Sequence, residues 1–218
     1  AMRADELADP GMLWVERGEK LWNTPAEGSG KTCASCHGSA QTSMRGVAAG
    51  YPKYDAGAGA VLDLEARIND CRTRRQQTTA LSRESEDLLA LTAFVTYQSR
   101  GVPLAVSIDG PARASFDRGR EFYFQRHGQM NIACTQCHDQ NWGKRLLGET
   151  ISQGHPTAFP GYRLEWQSLG SLQRRLRACL FGIRAEMPAS GAPELTDLEL
   201  YLAWRAQGLS LEAPGVRR

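Results

Sequence analysis

The sequence predicts an all-α fold made of two similar halves, with long irregular loops between the helices. A C-x-x-C-H pentapeptide occurs twice, at Cys33–His37 and at Cys134–His138, and the two copies are 101 residues apart. The same shift carries Arg17-Gly18 onto Arg118-Gly119, and further matches follow each pentapeptide. Apolar residues recur at helical spacing late in each half, and strand signals are weak throughout. The halves are therefore predicted to be related by an internal repeat.

Each pentapeptide is typical of covalent haem c attachment. Two thiols three residues apart can each add to a vinyl group of one porphyrin, and the following histidine can bind the iron. The predicted attachment and iron-binding residues are Cys33, Cys36 and His37 in the first half and Cys134, Cys137 and His138 in the second. The sequence thus predicts two covalently bound haem c groups.

Each half is predicted to run in the same order: a helix, a haem motif, an irregular loop, a short helix ending in cysteine, and a closing helix. The first helix is expected to open at Gly18 or Gly119, whose small size would let it cross another helix closely. The closing helix is expected to be amphipathic, with one buried stripe. This order resembles two class I cytochrome c domains in tandem, residues 1–105 and 106–218.

Composition excludes some classes of protein. Hydrophobic residues make up 41% and charged residues 23%, as in an ordinary globular protein. The sequence has no apolar run near the ~20 residues of a membrane-spanning helix, and its basic residues are scattered, so neither a membrane span nor nucleic-acid binding is predicted. The start Ala1-Met2-Arg3 has no visible signal peptide and suggests a processed or engineered form.

Two further cysteines, Cys71 and Cys179, stand at equivalent places in the repeat. Leucine, arginine, a branched aliphatic residue and cysteine fall at the same offsets in residues 64–71 and 172–179. The first half has no histidine outside its motif, so Cys71 is the predicted distal ligand of the first iron, and the repeat assigns Cys179 to the second. Two alternatives remain open: Met187, in a Met-Pro dipeptide, as the second distal ligand, and a disulfide between the two cysteines.

An arginine stands four residues before each of these cysteines, Arg67 before Cys71 and Arg175 before Cys179. On a helix this spacing places both side chains on one face. A nearby guanidinium favours the thiolate over the thiol and can bind a sulfur oxyanion through paired hydrogen bonds. The alternative role for both arginines is a salt bridge to a haem propionate.

The second half resembles the SoxA family in residues 154–167 (GHPTAFPGYRLEWQ) and residues 170–179 (GSLQRRLRAC). The first half matches the dihaem branch of that family, because the monohaem branch lacks the first C-x-x-C-H. The resemblance implies two cytochrome c domains in a periplasmic protein. It also implies His/Cys ligation of both irons, which here corresponds to His37 with Cys71 and His138 with Cys179.

Members of the SoxA family are catalytic cytochrome subunits of the SoxAX complex of bacterial sulfur oxidation. The resemblance implies a smaller monohaem cytochrome partner, SoxX, which receives the electrons. It implies an L-cysteine S-thiosulfotransferase reaction, in which thiosulfate is coupled oxidatively to a cysteine of the carrier protein SoxYZ. The catalytic roles carry over to Cys179, often found as a persulfide in the family, and to Arg175. Arg205 is a candidate for a further arginine near the pocket.

Two other functions remain open at this level. A thiosulfate dehydrogenase would join two thiosulfates into tetrathionate and would need no carrier protein. A plain dihaem electron-transfer cytochrome would have no catalytic thiol, so Cys179 would serve only as an iron ligand.

Overall fold

Helices form most of the regular structure in residues 9–146 and 148–217, which are the residues that the computed structural model describes. In chain order they are α1 (Met12–Asn23), α2 (Cys33–His37), α3 (Ala40–Ser43), α4 (Leu64–Cys71), α5 (Glu86–Tyr97), α6 (Ala112–Phe124), α7 (Cys134–His138), α8 (Leu172–Gly182) and α9 (Pro193–Arg205). A 3-10 turn at Ala48–Gly50 and a π-helical turn at Arg72–Gln76 complete the helical elements there. None of these helices is long and apolar enough to cross a membrane.

Short strands in the loops correct the prediction of an all-α fold. They are β1 (Lys53–Asp55), β2 (Ala60–Leu62), β3 (Arg145–Leu146), β4 (Glu149–Thr150), β5 (Gly161–Arg163), β6 (Ser168–Gly170) and β7 (Gly215–Arg217). β1 pairs with β2 and β3 with β4, while a three-stranded sheet has the order β6-β5-β7. In that sheet β5 is antiparallel to β6 and parallel to β7. Segments of two or three residues are too short for side-chain alternation to reveal them in a sequence.

The first helix of each half packs against the closing helix of the same half, α1 on α5 and α6 on α9. At the crossings, a β-carbon added to Gly18 would overlap the carbonyl oxygen of Ala90, and one added to Gly119 would overlap that of Asp197. The predicted close crossing is therefore confirmed. The expectation that the helices open at these glycines is wrong, because both lie well inside their helices, where the crossing requires them.

The closing helices are buried on almost every face, which differs from the single buried stripe predicted for them. All of residues 88–96 in α5 and 195–203 in α9 are buried. The cause is that each closing helix also contacts an element of the other half: α5 contacts β6, and α9 contacts β2. A helix covered on all sides is a core helix rather than a surface helix.

The apolar core extends across the two sequence halves. Leu169 on β6 belongs to the same cluster as Val15 and Trp22 on α1. In a second cluster, Leu211 near the C-terminal end packs with Ala48 of the first half. The halves therefore meet through apolar side chains as well as through the connecting chain.

Candidate active site

The short helices α2 and α7 carry the two C-x-x-C-H motifs. In each, two cysteines three residues apart lie on one side of a helical turn, with the histidine at its end. The Thr32 hydroxyl of α2 accepts from the Ser35 N–H at 2.7 Å, and the Gln136 side chain of α7 accepts from the Ala133 N–H at 2.8 Å. These local hydrogen bonds explain why five residues suffice to form each turn.

His138 is oriented as an iron ligand would be. Its Nδ1 lies 2.7 Å from the carbonyl oxygen of Ser152, and because a carbonyl only accepts, Nδ1 carries the proton. The Nε2 lone pair is therefore left for a metal. Gly154 lies against the ring, where an added β-carbon would be 3.1 Å from its Cγ. The residues of this motif thus fit a haem iron.

The residue after each haem-motif histidine is held by an aromatic side chain from the first helix of its half. Trp22 on α1 donates its Nε1–H to the Gly38 carbonyl at 3.0 Å. Tyr123 on α6 donates its hydroxyl to the Asp139 carboxylate at 2.9 Å. Both pairs are related by the same shift of 101 residues as the motifs. The repeat therefore contained a signal for Tyr123 and Asp139, which the C-x-x-C-H motifs by themselves do not indicate.

Asp139 also ties the second motif to α9. Its carboxylate accepts from the Thr135 hydroxyl at 2.7 Å and forms a salt bridge with Arg205. Arg205 donates in addition to the Gln153 carbonyl at 3.0 Å and stacks over the Tyr123 ring. Burial, and then the hydrogen bond to Asp139, raise the pKa of the Tyr123 phenol, so it stays a donor. Arg205 is therefore engaged in holding the motif.

Each additional cysteine is close enough to the first cysteine of its own motif for their charges to interact. Burial raises the pKa of the Cys33 thiol, and the charge of Cys71 raises it further. Burial likewise raises the pKa of the Cys134 thiol to about 12, with the charge of Cys179 as the next contribution. α4 ends at Cys71, as predicted, whereas α8 continues past Cys179. All six cysteines are free thiols in the structure.

The two arginines that precede Cys71 and Cys179 differ in their partners. Arg67 donates to Asp55 at 3.0 Å and to Asp70 at 3.1 Å. Arg175, in contrast, forms no salt bridge or side-chain hydrogen bond with any other described residue. Burial lowers the pKa of His138, and the positive charge of Arg175 contributes to this lowering. The charge of Arg175 therefore acts on the second motif. Arg175 is thus a cation beside the site that no described carboxylate neutralises.

Neighbouring arginines on α8 have other contacts. Arg174 stacks over the Trp166 ring with its guanidinium carbon 4.3 Å from the ring centroid. Arg177 donates to the Ser190 hydroxyl at 3.0 Å. Arg175 therefore differs from these two neighbours, because its guanidinium has no partner in the described chain.

Met187, the alternative distal ligand, is 41% exposed in the loop between α8 and α9.

The mostly helical fold, the attachment motif and the orientation of His138 define a c-type cytochrome, a protein with covalently bound haem c. A family model described as the SoxA/TsdA cytochrome c domain matches residues 17–104. The L-cysteine S-thiosulfotransferase subunit SoxA of Pseudaminobacter salicylatoxidans is 42% identical over 216 residues, which are 99% of this chain and 76% of that protein. The chain belongs to the SoxA family of enzyme subunits.

Two further comparisons agree with this assignment. The L-cysteine S-thiosulfotransferase subunit SoxA of Rhodovulum sulfidophilum is 40% identical over 217 residues, covering 100% of this chain and 76% of that protein. The crystal structure of SoxXA from P. pantotrophus superposes with a TM-score of 0.95 at 34% identity, over 100% of this chain and 82% of that chain.

Proposed function

We propose that this chain couples thiosulfate oxidatively to a cysteine of a sulfur-carrier protein, with the electrons leaving through c-type haem to a partner cytochrome. The names of its relatives, L-cysteine S-thiosulfotransferase subunits, support this reaction. The observation that carries it is the contrast between the two arginines at equivalent positions, since Arg67 pairs with Asp55 and Asp70 whereas no described carboxylate pairs with Arg175. A free guanidinium one turn from a thiol suits a sulfur oxyanion.

The proposed cofactors are two covalent haem c groups. Cys33 and Cys36 would attach the first, and Cys134 and Cys137 the second. The proposed axial ligands are His37 with Cys71 for the first iron and His138 with Cys179 for the second. The chemistry that haem c supplies when bound is one-electron transfer. The orientation of the His138 ring by the Ser152 carbonyl supports the ligand role at the second motif.

The proposed reaction begins with binding of thiosulfate, a dianion, through its sulfonate oxygens to the guanidinium of Arg175. Its outer sulfur then lies toward Cys179, one helical turn away. The Cys179 thiolate and the outer sulfur form a bond while the pair loses two electrons. The thiolate of the carrier cysteine attacks that outer sulfur, and Cys179 leaves as the thiolate. The net change converts one thiosulfate and one carrier thiolate into a carrier S-thiosulfonate and two electrons.

The organisation of the protein is part of the same proposal. Residues 1–105 would be the cytochrome c domain of the first haem, and residues 106–218 that of the second, catalytic haem. The equivalent helix crossings at Gly18 and Gly119 support this division. The proposed partners are a SoxX-like monohaem cytochrome and a SoxYZ-like carrier, and the proposed location is the periplasm. The similarity to a SoxXA structure supports the cytochrome partner.

The test combines the holoprotein with its partner cytochrome, a carrier protein and thiosulfate, and follows the mass of the intact carrier. We expect the carrier to gain one thiosulfonate group for every two electrons delivered to the cytochrome. Cys179→Ser should abolish the gain. Arg175→Lys should raise KM for thiosulfate about tenfold or more, because lysine cannot make paired hydrogen bonds to an oxyanion.

Arg67→Lys is the matched control, because Arg67 occupies the equivalent helical position but is paired with Asp55 and Asp70. Its KM for thiosulfate should remain that of the wild type. Formation of tetrathionate without any carrier would instead indicate a thiosulfate dehydrogenase. Unchanged carrier modification by Cys179→Ser would rule out a catalytic thiol and leave an electron-transfer cytochrome.

A further inference from the structure

Helix α8, which carries Arg175 and Cys179, has little apolar support. Of its eleven residues only Gln173 and Leu180 are buried, whereas nine consecutive residues of α9 are buried. Most of a helix's stability and position in a protein comes from packing of an apolar face. Within the protein chain, polar contacts at the start of α8 therefore contribute to fixing its direction, in addition to the haem that Cys179 would bind.

One such contact joins the start of α8 to the first half of the chain. The carboxylate of Glu84 accepts from the Ser171 N–H at 3.3 Å and from the Ser171 hydroxyl. Ser171 is the N-cap of α8, and its Oγ accepts from the Arg174 N–H at 3.0 Å. The cap residue is thus itself held from outside the helix. Glu84 adopts a left-handed backbone with φ of +61°, which costs a non-glycine residue on the order of 1 kcal/mol.

A second contact is made by Gln173, which is 1% exposed. Its Nε2 donates to the Asp63 carboxylate at 3.0 Å, and its Oε1 accepts from the Gly191 N–H at 2.6 Å. Asp63 is also the N-cap of α4, where it accepts from the Ala66 N–H at 2.6 Å. One carboxylate therefore binds the helix that ends at Cys71 and the helix that carries Cys179.

Arg83 connects the two contacts. Its guanidinium donates to Asp63 at 2.8 Å and to Glu65 at 3.0 Å. Arg83 also directly precedes Glu84 in the chain. The starts of both cysteine-bearing helices are therefore joined through the adjacent residues Arg83 and Glu84. This is a hydrogen-bonded connection between elements from opposite halves of the repeat.

We propose that Glu84 and Gln173 are positioning residues that set the direction of α8 and thereby the places of Cys179 and Arg175. The inference rests on the proposed function for the roles of those two residues. Cys179 is eight residues beyond Ser171, roughly 12 Å along the helix, so a tilt of about 5° would displace its sulfur by about 1 Å. A misplacement of that size can lower a rate by roughly a hundredfold. The first half thus serves as the support of the catalytic helix.

The test measures the electron paramagnetic resonance spectrum and reduction potential of each haem in the holoprotein, together with kcat and KM of carrier modification. Glu84→Ala removes both acceptors, and we expect the signal of the second haem to split into several low-spin forms. The signal of the first haem should stay as in the wild type. kcat should fall at least tenfold, with a change in KM of less than threefold. Glu84→Gln keeps a carbonyl acceptor for Ser171 and should restore one signal.

Glu86→Ala is the control, since Glu86 is an exposed neighbour whose carboxylate pairs only with Arg17 among the described residues. This variant should leave the electron paramagnetic resonance signal and the reduction potential of both haems unchanged. Should Glu84→Ala fail to fold, Ser171→Ala tests the same contact, and Ser171→Thr is its conservative partner. A melting temperature that falls while the second haem keeps one unchanged signal and potential would overturn the inference. A wild-type protein that fails to modify any carrier would refute the proposed function, and the haem signals would still decide the positioning role.

Discussion

Trp22 and Tyr123 make equivalent hydrogen bonds to chemically different acceptors. Each is an aromatic residue on the first helix of its half whose polar atom donates to the residue after the haem-motif histidine. At the first motif the acceptor is the neutral carbonyl of Gly38. At the second it is the carboxylate of Asp139, which also pairs with Arg205. Only the second motif is therefore held by a charged network that reaches α9.

Glu65 is a buried carboxyl close to other buried carboxyls. Burial raises its pKa to about 8, the charge of Asp63 raises it as well, and Arg83 opposes the shift. Glu199, also buried beside Asp63, has a raised pKa for the same reasons. The folded protein therefore holds a proton on Glu65 at a pH where the unfolded chain has released it.

This difference predicts how the free energy of unfolding depends on pH. Between the unfolded pKa of 4.5 and the folded pKa of about 8, the native state binds more protons than the unfolded state. Stability should therefore decline as pH rises through this range, by up to roughly 1.4 kcal/mol per pH unit from Glu65, and level off above it. Glu65→Gln should remove this part of the slope and be relatively more stable at pH 8. Urea unfolding at a series of pH values measures the free energy of unfolding of both proteins and its dependence on pH.

The matched control for this prediction is Glu16→Gln, because Glu16 is exposed and makes no salt bridge within the described chain. It should keep the wild-type pH dependence. A slope that persists unchanged in Glu65→Gln would show that Glu65 is already ionised in the folded protein at neutral pH.

At the scale of the elements, α8 and α9 are held in opposite ways. α9 is fixed by apolar packing along its length, whereas α8 buries two residues and is tied through Ser171 and Gln173. α9 resists displacement because its buried neighbours are close-packed. α8 depends on a few directional hydrogen bonds, so single substitutions at these bonds should affect its direction.

The helix crossings lead to a prediction about glycine. In Gly18→Ala the new β-carbon would overlap the carbonyl of Ala90 on α5, so α1 must move away from α5. We expect the free energy of unfolding to fall by about 3 kcal/mol, as for an overpacked core. Gly182→Ala is the control, because that glycine is also helical but has open space around it. It should be neutral or stabilising by up to about 1 kcal/mol.

Chemical denaturation of the two variants, followed by circular dichroism, compares them directly. Equal stabilities of Gly18→Ala and the wild type would mean that α1 and α5 can separate at little cost. That result would contradict the close crossing.

At the scale of the whole molecule, the two halves share their core. The other buried residues of the cluster that contains Leu169 of β6 come from the first half, and α5 contacts β6 directly. Arg83 and Glu84 add polar contacts across the same boundary. Structure shared in this way should couple the unfolding of one half to that of the other.

Leu169→Ala tests this coupling. Leu169 is 1% exposed, and its truncation should cost about 2–5 kcal/mol. We expect hydrogen exchange of α5 and of α9 to accelerate together and a single unfolding transition to remain. Leu13→Ala, at a position that is 65% exposed, is the control. It should change neither the stability nor the hydrogen exchange of α5 and α9. Two separate transitions, with only one half affected, would mean that the halves unfold independently.

The structure confirms several expectations drawn from the sequence and corrects others. The end of α4 at Cys71 and the close approach at Gly18 and Gly119 were predictable, because each depends on residues near in sequence or on the repeat. The short strands were missed, since pairs of two or three residues carry no periodic pattern. The burial of α5 and α9 on all faces was missed as well, because it depends on which elements the chain brings against them.

The sequence by itself determined the repeat and the equivalent positions of Cys71 and Cys179 in it, and it predicted the haem-attachment residues, because motif and spacing are local properties. Tertiary structure alone decided which arginine is neutralised. Arg67 and Arg175 have the same offset in the sequence, but Asp55 of β1 and Asp70 of α4 lie within 3.1 Å of Arg67. No described carboxylate reaches Arg175. Charge pairing depends on distances between elements, and those distances exist only in the folded chain.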